Sequence, residues 1–309
     1  MTRFTRAALL AGAAAAALTA CGSSAASDDT AGELTFAAVP SEQNIDPNVE
    51  YKDIIALIEK NTGRKVTFVR STDYNAVIEG MVSGKIDIAE FGPLSYVLAR
   101  NNGARIAPVA AMIKKGEAPT YRSYGVVPKG SAITDLAGFK GKNVCFVDPS
   151  STSGYLFPSA GLQSQGIDPK TGVRPVMAGG HDSSALSVKS GKCDAGFSLQ
   201  TMVDSVLPAK KELAPGDLKV VWRSPAIPAS PIAVRTDLPG GLGAALTSTF
   251  TKDANKDRMV ALGVCKDAAS CKVTSDPSYW GYQAIDDKAF DPVRQVCAAT
   301  RNDQCSKSA

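Results

Sequence analysis

Leu34-Thr35-Phe36-Ala37-Ala38-Val39 is a short apolar run, and residues 51–62 (YKDIIALIEKNT) then place apolar side chains at helical spacing up to Gly63. The first reads as a buried strand and the second as an amphipathic helix stopped by glycine. The alternation continues with Val66-Thr67-Phe68-Val69 as strand, Tyr74 to Ser83 as helix and Ile86-Asp87-Ile88-Ala89 as strand. A further helix, Pro93 to Asn101, opens directly after Phe91-Gly92. Strand and helix in turn predict an α/β lobe with a largely parallel sheet.

A second run of the same kind begins near Tyr124-Gly125-Val126-Val127. A helix over Ile133 to Phe139 leads into the strand Asn143 to Val147, Asp148-Pro149 breaks the chain, and 151–163 is helical. Ser183 to Ser190 reads as helix; Cys193 to Phe197, Leu218 to Trp222 and the return segment Pro231 to Arg235 read as strands. Two similar lobes joined by two extended crossings fit this pattern, lobe 1 from 33–122 plus 233–309 and lobe 2 from 123–232.

The 309 residues are 44% apolar and 21% charged, enough for substantial cores and unlike a disordered chain. The 34 basic and 30 acidic residues are dispersed, which excludes a nucleic-acid footprint. The one histidine, His181, rules out His-rich metal clusters and leaves only a Cys-only site open, which no CxxC pair supports, so neither a metal nor a cofactor is expected.

Arg3 and Arg6 precede an apolar core at residues 7–17 that is too short to span a bilayer, as an export signal requires. Leu18-Thr19-Ala20-Cys21 resembles the bacterial lipobox, in which cleavage precedes the cysteine and its thiol is lipidated. Residues 1–20 are therefore the signal peptide, Cys21 the lipidation site and 21–32 a flexible polar tether. Cleavage removes two arginines and no acid, leaving 32 basic against 30 acidic residues. Six cysteines remain, an even number that favours disulfides in an exported protein. Proximity in sequence pairs Cys265 with Cys271 and Cys297 with Cys305, leaving Cys145 and Cys193 to join two strands of one lobe.

The chemistry concentrates in residues 148–155, Asp-Pro-Ser-Ser-Thr-Ser-Gly-Tyr. Four consecutive hydroxyl residues sit where a strand ends and a helix begins, so free backbone N–H groups and hydroxyls converge on one point. That point suits a tetrahedral oxyanion, which neutral donors and a helix N-terminus hold without lysine or arginine. The competing reading is that one hydroxyl merely caps the helix.

With Asp-Tyr-Asn-Ala-Val-Ile-Glu-Gly-Met (73–81), Asp-Ile-Ala-Glu-Phe-Gly-Pro-Leu-Ser (87–95), Ala-Gly-Gly-His-Asp-Ser-Ser-Ala-Leu (178–186) and Ser-Pro-Ala-Ile-Pro-Ala-Ser-Pro-Ile (224–232), the octapeptide forms an ordered set. Over about 34–235 the chain resembles the phosphonate/phosphite/phosphate-binding lipoproteins of ABC importers; the tail from 236 on matches only loosely. The resemblance implies an α/β, two-lobed type II periplasmic-binding-protein fold with the ligand in the cleft between lobes. It places Ser151, Thr152, Ser153 and His181 on the oxyanion, with Gly154 allowing close backbone approach and Tyr74 reaching in from the other lobe. Phe91, where relatives often carry tyrosine, lines the cleft without donating. Glu42, just after the first strand, accepts a ligand P–OH proton, orients neighbouring donors or is simply solvated. Where relatives pair a ligand ammonium with acidic residues, this chain shows Ser230 and, nearby, Thr201. That favours phosphate, phosphite or a short alkylphosphonate over an aminoalkylphosphonate.

The resemblance also implies an ABC transporter permease as partner, a membrane-anchored monomer on the outer face of the bacterial cell membrane, and no catalysis. A secreted phosphatase-like enzyme is the alternative, because the same hydroxyls suit a substrate phosphate. It would need a nucleophile with a base or a metal, and no Gly-x-Ser-x-Gly elbow is present.

Overall fold

The computed structural model of the protein describes residues 32–43 and 45–306; the signal peptide, Cys21 and the tether up to residue 31 lie outside them. Strands β1 (Leu34–Ala38), β2 (Val66–Val69), β3 (Ile88–Glu90) and β4 (Ile106–Ile113) lead to a short crossing strand, β5 (Thr120–Tyr121). The chain then builds β6 (Ser123–Pro128), β7 (Asn143–Phe146), β8 (Arg174–Met177), β9 (Ala195–Leu199) and β10 (Leu218–Arg223). It returns through β11 (Ile227–Pro228) to β12 (Pro231–Arg235) and β13 (Gly281–Ala284).

Two sheets result, ordered β13-β4-β12-β3-β1-β2 and β10-β6-β9-β7-β8, and a two-stranded ribbon of β5 and β11 where the chain crosses between them. The pairings of β1 with β2 and β3 are parallel, but β12 and β13 join antiparallel, as do β6 with β9 and β10. Both sheets are therefore mixed rather than largely parallel. The cause is connectivity: a returning strand that inserts between β3 and β4 runs back along the sheet, whereas each helical crossover delivers a parallel neighbour.

Period-two alternation in β1 sends its side chains to opposite faces. Leu34, Phe36 and Ala38 pack with Ile54, Leu57 and Ile58 of the helix Lys52–Thr62. Ala37 and Val39 pack with Val77, Ile78 and Met81 of the helix Tyr74–Val82 and with Leu94 and Val97 of the helix Pro93–Asn101. Each such fully buried aliphatic side chain stabilises by about 1.5–3 kcal/mol. Gly63 ends its helix at φ 67°, the left-handed cap that glycine adopts without Cβ strain. In the second lobe Phe139, Phe146, Leu162 and Phe197 make the core on one face, with Val126, Cys145 and Val188 on the other.

Three further readings change. Ile133 to Phe139 is not a helix but a four-residue 3-10 turn, Leu136–Phe139, folded tightly enough that a Cβ on Gly138 would meet Ile133 at 2.8 Å. A lobe division at 232/233 falls inside β12, which is paired with the first sheet from Pro231 onward. Cys145 bonds Cys193, Cys265 bonds Cys271 and Cys297 bonds Cys305, yet Cys193 lies in the turn before β9, so that bridge ties a strand to a turn.

Candidate functional site

Strand ends deliver the site. β1 runs into Ser41-Glu42-Gln43, β3 into Phe91-Gly92, β7 into the hydroxyl run and β9 into Thr201-Met202, the C-terminal strand ends where α/β folds place ligands. Together with Tyr74, Tyr121, His181 and Ser230 they enclose a cavity of about 60 Å³. On this measure one water needs roughly 10–15 Å³, so the space admits a small polar group.

The four hydroxyls do different things. Ser150 Oγ donates to Asn75 Oδ1 of the other lobe at 3.1 Å. Ser151 is the helix cap, accepting from Gly154 N at 3.0 Å and facing the Tyr74 hydroxyl. Thr152 Oγ1 accepts from Leu94 N across the cleft at 2.8 Å, capping a helix whose own N-cap, Gly92, has no side chain. Its proton remains to donate. Ser153 and Thr152 face the hydroxyl of Tyr121, whose pKa burial raises to about 12. Ser151, Thr152 and Ser153 line the cavity and Ser150 does not.

Gly154 also does not line it. A Cβ there would meet Val147 Cβ at 2.4 Å, so glycine is required by packing against the preceding strand rather than by approach to a ligand. Glycine at 180 lets the two lobes approach each other: a Cβ would meet Asp182 at 2.4 Å and Gln43 of the facing lobe at 3.0 Å.

His181 opens the helix His181–Lys189, and its Nδ1 accepts from Leu199 N at 2.9 Å. The neutral ring then carries its proton on Nε2, and burial drives its pKa down to about 3, so it is a neutral donor throughout the physiological range. Phe91 is fully buried and lines the cavity, as does Ser230.

Glu42 is not solvated. It is buried and paired across the cleft with Lys210; burial pushes its pKa up against the pull of that lysine. Glu90 is buried between two tyrosines: Tyr51 Oη lies 3.2 Å from its Oε1, and Tyr282 Oη lies 3.0 Å from its Oε2 and 2.9 Å from Val273 O. Tyr282 has one proton for two acceptors, which favours a protonated Glu90 donating to that hydroxyl. Burial raises the Glu90 pKa to about 7, against the hydrogen bonds from both tyrosines.

Glu90, Tyr121 and a C-terminal group of Thr274, Ser275, Asp276 and Tyr279 line the cavity without having been singled out in the sequence. An acid inside the apolar stretch Asp87-Ile88-Ala89-Glu90-Phe91 was an available signal for Glu90; residues 274–279 carry no periodicity or motif. With Glu42, Glu90 and Asp276 in the lining, the cleft is not poor in acids, although Ser230 and Thr201 are neutral. Among the described residues no lysine or arginine lines it.

A two-lobed α/β protein that closes a small cavity of neutral donors between its sheets is a type II periplasmic binding protein. Residues 36–279 match the family described as "ABC transporter, phosphonate, periplasmic substrate-binding protein", and the chain belongs to that family. It is 43% identical over 281 residues to the phosphate-import protein PhnD of Mycolicibacterium smegmatis, covering 88% of this chain and 87% of that one. To the phosphonates-binding periplasmic protein of Escherichia coli it is 30% identical, covering 83% and 72%. A binding-protein component of an ABC phosphonate transporter from Pseudomonas aeruginosa superposes with a TM-score of 0.75 at 25% identity, over 87% and 86% of the chains. PhnD1 of Prochlorococcus marinus, solved with methylphosphonate, shares the fold with a TM-score of 0.71 at 20% identity, over 88% and 99%.

Proposed function

We propose that this solute-binding protein captures a small phosphorus oxyanion (phosphate, phosphite or a short alkylphosphonate) between its lobes and passes it to an ABC permease. The observation that carries the reading is the cavity of about 60 Å³, lined by Ser151, Thr152, Ser153, Tyr74, Tyr121 and a neutral His181. Neutral donors at fixed positions suit a tetrahedral oxyanion, and the small volume suits phosphate or methylphosphonate. A cavity closed on both sides by lobes also suits capture and release better than turnover, which supports a protein that acts without catalysis.

Anchoring rests on lipidation of Cys21, which holds the domain at the outer face of the membrane. No described helix is long and apolar enough to cross a bilayer. The ligands named for two relatives, phosphate and methylphosphonate, support the same class.

Thermal shift and calorimetry on the chain from Gly22 onward, against phosphate, phosphite, methylphosphonate, sulfate and 2-aminoethylphosphonate, test the proposal. Ligand-dependent stabilisation by at least one phosphorus oxyanion, without release of product from p-nitrophenyl phosphate, is expected. Turnover of that ester would favour the phosphatase-like alternative, and absence of binding by every phosphorus oxyanion would remove the reading altogether.

A further inference from the structure

Of the three acidic residues that line the cavity, two have engaged carboxyl groups. Glu42 is held by Lys210, and Glu90 by Tyr51 and Tyr282. Asp276 is 6% exposed; its Oδ1 accepts from Ser278 N at 2.9 Å, but its Oδ2 has no hydrogen-bond partner among the described residues. A buried acceptor left unpaired is unfavourable, and a carboxylate offers lone pairs and no proton.

We propose that Asp276 Oδ2 accepts the P–OH proton of the bound oxyanion, so that the site selects oxyanions that keep an acidic proton, hydrogenphosphate above all, over fully deprotonated ones of the same size. This rests on the reading that the cavity takes a phosphorus oxyanion, and it adds what distinguishes one such ligand from another.

A fully deprotonated oxyanion presents only acceptors and negative charge to this carboxylate. With no lysine or arginine among the described residues that line the site, that repulsion is weakly screened. One P–OH converts the contact into a charge-assisted hydrogen bond. The charged and titratable groups around Asp276 are consistent with a single acceptor position. Lys256 turns its Nζ to Pro277 O at 3.0 Å, and burial lowers its pKa while the Asp276 charge opposes that shift. Lys272 is engaged by Glu50, and the Tyr279 hydroxyl, a neutral group, has its pKa raised by burial and then by Asp276. An ammonium would bring three donors to one unpaired oxygen. Sulfate and monofluorophosphate carry no proton in mildly alkaline buffer, where hydrogenphosphate keeps its own.

Calorimetry on the mature protein and on Asp276→Asn, in one mildly alkaline buffer, uses phosphate, sulfate, monofluorophosphate and 2-aminoethylphosphonate as probes. The wild type is expected to bind phosphate at least about a hundredfold tighter than sulfate or monofluorophosphate, as a site built to pair a hydroxyl rejects ligands lacking it. In Asp276→Asn, phosphate weakens at least about tenfold and its advantage over sulfate shrinks, because the carboxamide donates to an unprotonated oxygen. Wild-type affinity for monofluorophosphate equal to that for phosphate, tighter binding of 2-aminoethylphosphonate, or an unchanged phosphate-to-sulfate ratio in a variant that still binds phosphate would each overturn the role of Asp276. The wild-type comparison decides alone if the variant melts before binding is measured. Absence of phosphate binding overturns this role alone, whereas the broader reading falls only when phosphite and methylphosphonate, added as probes, fail to bind as well, so the two failures are told apart.

Discussion

Thr152 serves both lobes, since its oxygen accepts from Leu94 N while its proton is left for the cavity. Replacing Thr152 and Ser153 together by alanine removes two donors to a buried oxyanion, each worth on the order of 1.5–3 kcal/mol. Affinity for the preferred phosphorus oxyanion is then expected to fall at least about a hundredfold by calorimetry. Ser151→Ala acts differently: it removes the bond to Gly154 N and lowers the stability of the unliganded protein by about 1 kcal/mol. A double variant that binds as tightly as wild type would refute the donor role. Ser151 is thus the cap, and the donor role of Thr152 and Ser153 is what the double variant tests. The run was legible because hydroxyls at a strand-to-helix junction have few uses. Asp276 was not, because what marks it is an unpartnered oxygen, and pairing exists only once the chain is folded.

Glu90 shows how elements distant in sequence converge on one group, with β3 supplying the carboxyl, β13 supplying Tyr282, and Tyr51 standing just ahead of the helix Lys52–Thr62. Its pKa in the folded protein is raised from 4.5 to about 7, chiefly by burial. A raised pKa means the folded state binds the proton more tightly than the unfolded one, so stability falls as pH climbs through that window. Below about 4.5 the group has no effect, and above about 7 it lowers stability by about 3 kcal/mol. Chemical denaturation of wild type and Glu90→Gln across this range is expected to show curves that diverge with rising pH, the variant gaining relative to wild type. Parallel curves would show that Glu90 titrates normally. The strands and helices of the first lobe up to Asn101 were legible because apolar spacing repeats there. β4 was not read: its sequence, IAPVAAMI, lacks alternation and contains a proline, and it becomes a strand only because β12 and β13 flank it.

The molecule as a whole is held in its closed form by bonds that cross the cleft. Gln43 Nε2 donates to Gly179 O at 2.8 Å, His181 N donates to Ser41 O at 2.8 Å, and Gln43 N donates to Asp182 Oδ2 at 3.0 Å. The Glu42–Lys210 ion pair and the Thr152–Leu94 and Ser150–Asn75 bonds add to them. The crossings, including the ribbon of β5 and β11, are short, so a small change of backbone angle there separates the lobes and breaks these bonds together. Ligand bound to donors from both sides favours the closed form by its differential affinity, and the unliganded protein is expected to be the more open. Scattering profiles should then become more compact at saturation with ligand. Lys210→Met makes the argument specific. It leaves Glu42 buried and unpaired only when the lobes close, a penalty of about 3–5 kcal/mol for a fully buried pair and less here because Lys210 is partly exposed. Affinity is therefore expected to fall at least about tenfold while the melting temperature of the unliganded protein stays near wild type, because the open form never makes the pair. A loss of unliganded stability matching the loss of affinity would show that the pair is formed before ligand arrives, and identical scattering with and without ligand would exclude closure.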